Sequence, residues 1–125
     1  METILIKDDT IEYDVYLGRT DEKFHFCNPF CTKKRAINTI IVSSPEKAVL
    51  NYLKWLLKED FNDVQPERRD WILTQIPSLK GKRLGNFSNY HYCNGNVLLA
   101  IINDDVKSFR EKLEPKPDIS DLFEF

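Results

Sequence analysis

Residues 3–7 and 11–17 have the hydrophobic patterns of two β-strands, and the second segment alternates hydrophobic and polar positions with the period of two that is typical of strands. A short apolar run occupies residues 3–7, Asp8-Asp9 supplies a turn, and hydrophobic side chains recur at every second position from residue 11 to residue 17. Two such segments joined by a short polar turn favour an antiparallel pair. The pattern therefore predicts a β-hairpin at the start of the chain.

Later segments have the spacing of amphipathic helices. Ser43-Ser44-Pro45-Glu46 forms a helix start, because a serine side chain accepts from an unpaired amide, proline has no donor to lose and glutamate favours the positive helix end. The charged run at residues 67–70 is expected to face water, and Pro77 is expected to end the second helix. The predicted helices cover residues 45–60, 66–76 and about 94–113.

Two further strands are predicted, at the β-branched run of residues 36–42 and at residues 82–87. The chain has 125 residues, of which 42% are hydrophobic, and this is enough for one core. We therefore predict a small single α/β domain over residues 1–114. It is expected to combine the N-terminal hairpin and further strands with about three helices, followed by an acidic and hydrophobic tail at residues 115–125.

Composition narrows the classes of partner. The formal net charge of -2 provides no general attraction to nucleic acid, and no apolar stretch is long enough to span a membrane. A cytoplasmic protein is predicted, in the host cytoplasm if the source is viral. Only four glycines beside many lysines, asparagines and isoleucines indicate an A/T-rich genome, such as phages and large viruses have.

Every cysteine and histidine falls in one of two short clusters, each beside a turn rich in asparagine. Thiolate and imidazole are zinc ligands, and four are required. An odd number of cysteines argues against a disulfide framework. No cofactor is predicted as the first choice, and zinc is the alternative. The candidate metal ligands are His25, Cys27, Cys31, His91 and Cys93.

The segment around Asn94-Gly95-Asn96 joins a predicted strand to a predicted helix through a polar loop. At the carboxyl end of such a strand, loop amides and the helix N-terminus point at one space, which suits a phosphate or a carboxylate. A tight turn with an N-cap explains the same three residues without a ligand. Both interpretations remain open on this pattern.

Five segments follow one another in a specific order: Val15-Tyr16-Leu17-Gly18-Arg19, Asn28-Pro29-Phe30, the helix with Tyr52 and Trp55-Leu56, Leu79-Lys80-Gly81-Lys82-Arg83-Leu84-Gly85, and Cys93-Asn94-Gly95-Asn96-Val97-Leu98. This order resembles the domain of unknown function 4326 family, which consists of small bacterial, phage and viral proteins and domains. The similarity covers roughly residues 11–103. It implies a shared fold and lends no activity.

The chain departs from the family pattern at its most reactive positions. Asn86 and Ser88 stand where the family has Cys-x-Cys, and Asn94-Gly95-Asn96 stands where it has His-Gly-Asp. Arginine and asparagine at these segments still offer hydrogen bonds to an anionic or polar ligand. The sequence thus predicts binding of a polar or phosphate-bearing, nucleotide-like ligand between the loops at residues 18–31 and 86–96, and it assigns no catalytic residue. The predicted ligand-binding residues are Arg19, Asn28, Arg83, Asn94, Gly95 and Asn96.

The tail at residues 115–125 begins with two prolines and alternates acidic and apolar residues. Proline stiffens its exit from the domain. An alternative function is therefore a non-catalytic interaction or inhibitor protein, of viral origin, that docks a partner through this tail. The apolar residues that would contact the partner are Ile119, Leu122, Phe123 and Phe125. Folding of the tail onto its own domain is the competing expectation.

Overall fold

The computed structural model describes residues 2–33, 39–87 and 93–113. These residues form five short strands and four helices, so the predicted α/β class is confirmed. The tail prediction for residues 115–125 lies outside the described residues and stays a prediction. The elements are β1 (Ile4–Ile6), β2 (Val15–Tyr16), β3 (Phe30–Cys31), β4 (Ile40–Ile41), α1 (Pro45–Leu56), α2 (Pro66–Leu79), β5 (Arg83–Gly85), α3 (Asn94–Ile102) and α4 (Val106–Leu113).

The predicted N-terminal hairpin is wrong. Strand β5 lies between β1 and β2 and pairs with both of them in parallel, with Ile4 opposite Arg83 and Val15 opposite Leu84. The polar turn does form, since Asp8 accepts from the backbone of Thr10 at 2.9 Å, but it leads the chain past β5. All three strands therefore end at the same edge of the sheet.

A second, smaller sheet pairs β3 with β4, also in parallel. Strand β3 falls inside the segment predicted to be an irregular loop. Strand β4 covers two residues of the predicted strand at residues 36–42, and residues 34–38 lie outside the description. The predicted strand at residues 82–87 is present as the shorter β5.

Helix α1 begins as the sequence predicts. Ser44 Oγ accepts from the Lys47 amide at 3.1 Å, and Pro45 occupies the first turn. The helix ends at Leu56, earlier than predicted, and Lys58 beyond it has a positive φ of 61°. The largest core side chains come from this helix, because Tyr52 and Trp55 are fully buried.

Helix α2 differs from the prediction in two ways. Pro77 lies inside its last turn and lacks the amide that would bond to the carbonyl four residues earlier, but the helix continues two residues further, to Leu79. The charged run was expected to face water, but Arg68 and Arg69 are only 5% and 6% exposed. They are buried because carbonyl and amide oxygens of neighbouring segments accept from their guanidinium groups.

The long helix predicted over residues 94–113 is two helices. Helix α3 ends at Ile102, and Asp104 adopts a left-handed conformation with φ of 54°. Aspartate and asparagine tolerate this conformation better than most residues do. Helix α4 then begins at Val106 and packs against α3 and α1. The described chain consequently has four helices, where about three were predicted.

The core lies where α1, α2 and α3 pack against one another, with α3 against β1 of the three-stranded sheet and α1 against β3 of the smaller sheet. Its fully buried members include Leu17, Leu53, Ile72, Leu84, Val97 and Leu98. Within the described part of the chain, no helix is long and apolar enough to cross a membrane.

Candidate functional site

A cavity of about 610 Å³ opens at the carboxyl edge of the three-stranded sheet. Gly18 and Arg19, which follow β2, line one side, and Asn86, which follows β5, lines the other. Asn28 and Asn94 complete the wall between the two predicted loops. In parallel α/β sheets, ligands bind at this edge, because loops and helix starts converge there. The structure thus brings Arg19, Asn28 and Asn94 together around one space.

Asn28 joins three elements at the base of the cavity. Its side-chain nitrogen donates to the Ala48 carbonyl at 2.9 Å and to Asn94 Oδ1 at 3.1 Å. Its side-chain oxygen accepts from the Phe30 amide at 2.9 Å. The residue is 6% exposed, so these bonds are shielded from water. Asn28 is therefore the tie that fixes the first loop to α1 and to the start of α3.

The segment from residue 25 to residue 27 is also held from the core side. The Tyr52 hydroxyl donates to the Phe26 carbonyl at 2.6 Å. Arg68 Nη1 donates to the carbonyls of His25 at 2.9 Å and Cys27 at 2.6 Å. Burial raises the pKa of the Tyr52 hydroxyl, which therefore stays a donor at ordinary pH. Three successive carbonyls are thus satisfied by buried side chains.

The guanidinium of Arg68 also lies over the ring of Trp55, 5.2 Å from its centroid. Desolvation by burial lowers the pKa of this arginine. Stacking on an aromatic ring and hydrogen bonds to carbonyls compensate a buried guanidinium in part. Arg68 is consequently a structural cation. It holds the loop backbone at residues 25–27, next to residues that line the cavity.

Gly95 and Asn96 support the start of α3 and do not line the cavity. The Gly95 amide donates to Asn86 Oδ1 at 2.8 Å, and a side chain at Gly95 would collide with the end of Leu5. Asn96 Oδ1 accepts from the Cys93 amide at 2.9 Å. The three residues therefore form the first turn of α3, whose N-cap is Cys93 and not one of the three, and Asn94 alone of them lines the cavity.

Arg83 is not brought together with the other predicted binding residues. It opens β5, at the amino edge of the sheet, whereas the cavity lies at the carboxyl edge. Its guanidinium pairs with Asp14 at 3.0 Å and with Glu12 at 3.8 Å. The hydrogen bonds and charge of Arg83 lower the pKa of Asp14 to about 2. Arg83 therefore ties β2 to β5 far from the cavity.

The charge of the cavity differs from that of the whole chain. The described residues that line it include the cations Arg19 and Lys33 and no aspartate or glutamate. Both cations are exposed, and neither has an ion pair or hydrogen-bond partner within residues 2–33, 39–87 and 93–113. The amide nitrogen of Asn94 likewise has no partner in that part of the chain. The described lining of the cavity therefore offers hydrogen-bond donors and positive charge to a ligand.

Residues 6–104 match the family described as a domain of unknown function (DUF4326). The chain belongs to this family. The similarity predicted from the five segments is confirmed, and the match contains every described residue that lines the cavity. No curated protein and no solved structure matches the chain.

All three cysteines of this DUF4326 protein line the same cavity, and none is joined in a disulfide. Cys27 Sγ donates to the Asn28 carbonyl at 3.6 Å, and Cys93 Sγ donates to Asn96 Oδ1 at 3.3 Å. Within the described ranges, no three side chains of histidine, cysteine, aspartate or glutamate come together as metal ligands. His91 lies outside these ranges, so zinc binding by the five candidates stays a prediction.

His25 is the described histidine of the two clusters. Its Nδ1 accepts from the Cys27 amide at 3.2 Å. Burial, and then the charges of Arg68 and Arg19, lower the pKa of His25 to about 4. The imidazole is therefore neutral at physiological pH and serves as a hydrogen-bond acceptor for the loop backbone.

Two cations that matter for this DUF4326 cavity are absent from the predicted binding set. Lys33 begins a basic run that continues at residues 34–35, and this run was the available signal. Arg68 lies in a charged segment whose burial no local pattern indicates. Its acceptors are backbone carbonyls about forty residues earlier in the chain, which a sequence pattern does not identify.

Proposed function

We propose that this DUF4326 protein binds a small anionic metabolite of the phosphate-bearing, nucleotide-like kind in the cavity at the carboxyl edge of its sheet. The observation that carries the proposal is the charge of the described lining. Arg19 and Lys33 are cations without an acidic partner there, although the chain as a whole has a net charge of -2. An anion supplied by a ligand would neutralise them.

The shape of the cavity supports the same proposal. Its volume of about 610 Å³ lies within the range of roughly 300–1,000 Å³ that small-molecule sites occupy. Its position outside the carboxyl ends of parallel strands is where α/β proteins bind nucleotides and related ligands. Helix α3 begins at the cavity with Asn94, and the positive end of a helix favours an anion.

The donor set supports a phosphate or a carboxylate over a neutral ligand. Arg19 offers a planar guanidinium, which matches two oxygens of such an anion at once. Lys33 adds a mobile point charge, and the unpartnered amide nitrogen of Asn94 adds a neutral donor. Asn28 contributes indirectly, because its own polar atoms hold the loops in place.

Thermal unfolding in the presence of inorganic phosphate and a panel of ribonucleoside monophosphates and diphosphates tests the proposal. We expect at least one compound to raise Tm, with an effect that weakens as salt increases, because salt screens the exposed cations. In the double variant Arg19→Gln/Lys33→Gln, affinity should fall by more than about tenfold, because hydrogen bonds to charged groups contribute about 1.5–3 kcal/mol each.

The matched control is the double variant Lys107→Gln/Lys112→Gln. It removes the same two charges from exposed positions on α4, which does not line the cavity. Ligand affinity should be unchanged in this variant. An unchanged Tm across the whole panel, or equal weakening in the two double variants, would contradict binding at this cavity.

A further inference from the structure

We infer that the anionic ligand also carries a planar aromatic ring, as a nucleobase does, and that this ring stacks on an aromatic cluster at the mouth of the cavity. The cluster consists of Tyr13, Tyr16 and Phe87. The inference rests on the proposed function and specifies the second half of the ligand. It assigns the base-recognition role to side chains that the core does not need.

The three rings form one continuous surface. Ring centroids are 5.4 Å apart for Tyr13 and Phe87, 5.8 Å for Tyr16 and Phe87, and 6.2 Å for the two tyrosines. These separations are typical of aromatic pairs in contact. Tyr16 and Phe87 also line the cavity, so the surface continues into the space that Arg19 faces.

The cluster is unusually open for aromatic side chains. Tyr13, Tyr16 and Phe87 are 40%, 39% and 38% exposed, whereas Tyr52 and Trp55 are fully buried. Among the described residues, the core buries Phe26, Phe30, Tyr52, Trp55 and Phe109, whereas these three aromatics stay in contact with water. An exposed apolar group beside a charged cavity is characteristic of a ligand site.

Two glycines make room for the tyrosine rings. A Cβ built at Gly85 would lie 2.8 Å from Cγ of Tyr13, and one built at Gly18 would collide with the hydroxyl end of Tyr16. Each ring therefore lies directly over strand or loop backbone, in space that a side chain would otherwise fill. The backbone supports one side of the ring, and a planar ligand can cover the other.

The cations and the aromatic cluster lie next to each other at the cavity. The anionic group and the ring of the ligand should therefore be neighbours in the same way. Gly18 joins Tyr16 and Leu17 to Arg19 along the chain, so the cation and the ring share one wall. A sugar phosphate would use the cation alone. A nucleoside monophosphate uses both, with its phosphate at Arg19 and Lys33 and its base on Tyr16 and Phe87.

Isothermal titration calorimetry with two classes of probe tests the inference on the full chain. The probes are ribose 5-phosphate and the 5′-monophosphates of adenosine, guanosine, cytidine and uridine. At least one nucleotide should bind about tenfold more tightly than ribose 5-phosphate, because stacking of the base on an aromatic ring adds affinity that the sugar phosphate lacks.

Removal of the rings should affect only the nucleotides. In Tyr16→Leu/Phe87→Leu, nucleotide affinity should fall to that of ribose 5-phosphate, while ribose 5-phosphate itself binds as before. Phe87→Leu alone is the milder variant, because Phe87 lies outside the strands. Phe24→Leu is the control, since Phe24 stacks on Trp71 away from the cavity and should alter neither affinity.

The outcomes separate the two proposals. Equal affinity of nucleotides and ribose 5-phosphate for the native protein overturns the stacking inference and leaves the anion site standing. An equal loss for both probe classes in the leucine variants also overturns it, because the rings would then only support the fold. Failure of every probe to bind the native protein overturns the anion site and the stacking inference together.

Discussion

The amino and carboxyl edges of the three-stranded sheet differ in whether carboxylates lie beside their cations. At the amino edge, Arg83 pairs with Asp14 and Glu12, and it lowers the pKa of Asp14 to about 2. At the carboxyl edge, the described lining of the cavity has Arg19 and Lys33 with no acid. The pKa of His25 is lowered as well, first by burial and then by the charges of Arg68 and Arg19, so this base is neutral.

Arg83 and Asp14 therefore form a structural ion pair, whereas the cavity is a candidate ligand site. At the amino edge, the charges of Arg83, Asp14 and Glu12 compensate one another within the chain. At the carboxyl edge, rigid polar residues hold a space in which positive charge is left uncompensated. Each edge has an arginine. At the amino edge carboxylates lie beside it, and at the carboxyl edge none is part of the described lining.

The largest expected effect comes from loss of the tie at the carboxyl edge. Asn28→Ala should lower the free energy of unfolding by about 3 kcal/mol, because a buried side chain loses three hydrogen bonds and leaves backbone groups unsatisfied. Urea unfolding measures it. Asn28→Asp, which keeps only the acceptor for the Phe30 amide, should lie between the two, and the exposed Asn103→Ala should match the native protein.

A stability of Asn28→Ala close to native would mean that the loops are held mainly by Tyr52 and Arg68. The hydrogen bonds that the carbonyls of residues 25–27 accept would then fix the loop, and those of Asn28 would contribute little. In that case nucleotide binding should also survive the substitution.

The second effect concerns acid pH. The pKa of His25 is about 4 in the folded protein against 6.5 for the free side chain, so the unfolded chain takes up the proton first. Stability should therefore fall as pH decreases from about 6.5 towards about 4, by on the order of 1 kcal/mol after allowance for a partly exposed ring. Urea unfolding at pH values across this window measures the loss.

His25→Gln should flatten the stability profile in that window. His91→Gln is measured beside it, because His91 is the other histidine of the chain. The contribution of Asp14 is separate, since a carboxylate with a lowered pKa loses its stabilising effect only as pH falls below about 3.8 towards 2. A profile unchanged by His25→Gln would refute a depressed histidine pKa at the carboxyl edge.

The smallest effect is expected at the amino edge. Asp14→Asn removes the charge that pairs with Arg83, but the pair is exposed and its net contribution is small. We expect a slight decrease in Tm at low salt that disappears at high salt, with nucleotide affinity unchanged. A loss of affinity in this variant would show that the two edges are coupled and would remove the contrast between them.

Local features of the fold could be predicted from the sequence. The start of α1 at Ser44 and Pro45 is set by hydrogen bonds within one turn, so its pattern is visible in consecutive residues. A pocket between the two polar loops was predicted from the arginine and asparagine side chains that they carry at the segments of the family resemblance. Arg19, Asn28 and Asn94 are the predicted residues that this reasoning placed at the cavity.

Features that depend on distant pairing could not be predicted in this way. The hydrophobic patterns of residues 3–7 and 11–17 are the same whether β1 and β2 pair with each other or with β5 between them, and only the tertiary fold decides. The position of Arg83 at the opposite edge follows from that parallel arrangement. Arg68 appears charged and solvent-facing in the sequence, and only the distant carbonyls that accept from it explain its burial.

The central place of β5 in the sheet has a consequence for synthesis of the protein. Within the described part of the chain, β5 is the partner of both β1 and β2 in this sheet, and it ends at Gly85. A growing chain must therefore emerge from the ribosome beyond that residue before the first two strands can be hydrogen-bonded. Until then β1 and β2 remain without their strand partner, so both wait for the synthesis of α1, α2 and β5 before they can form native hydrogen bonds.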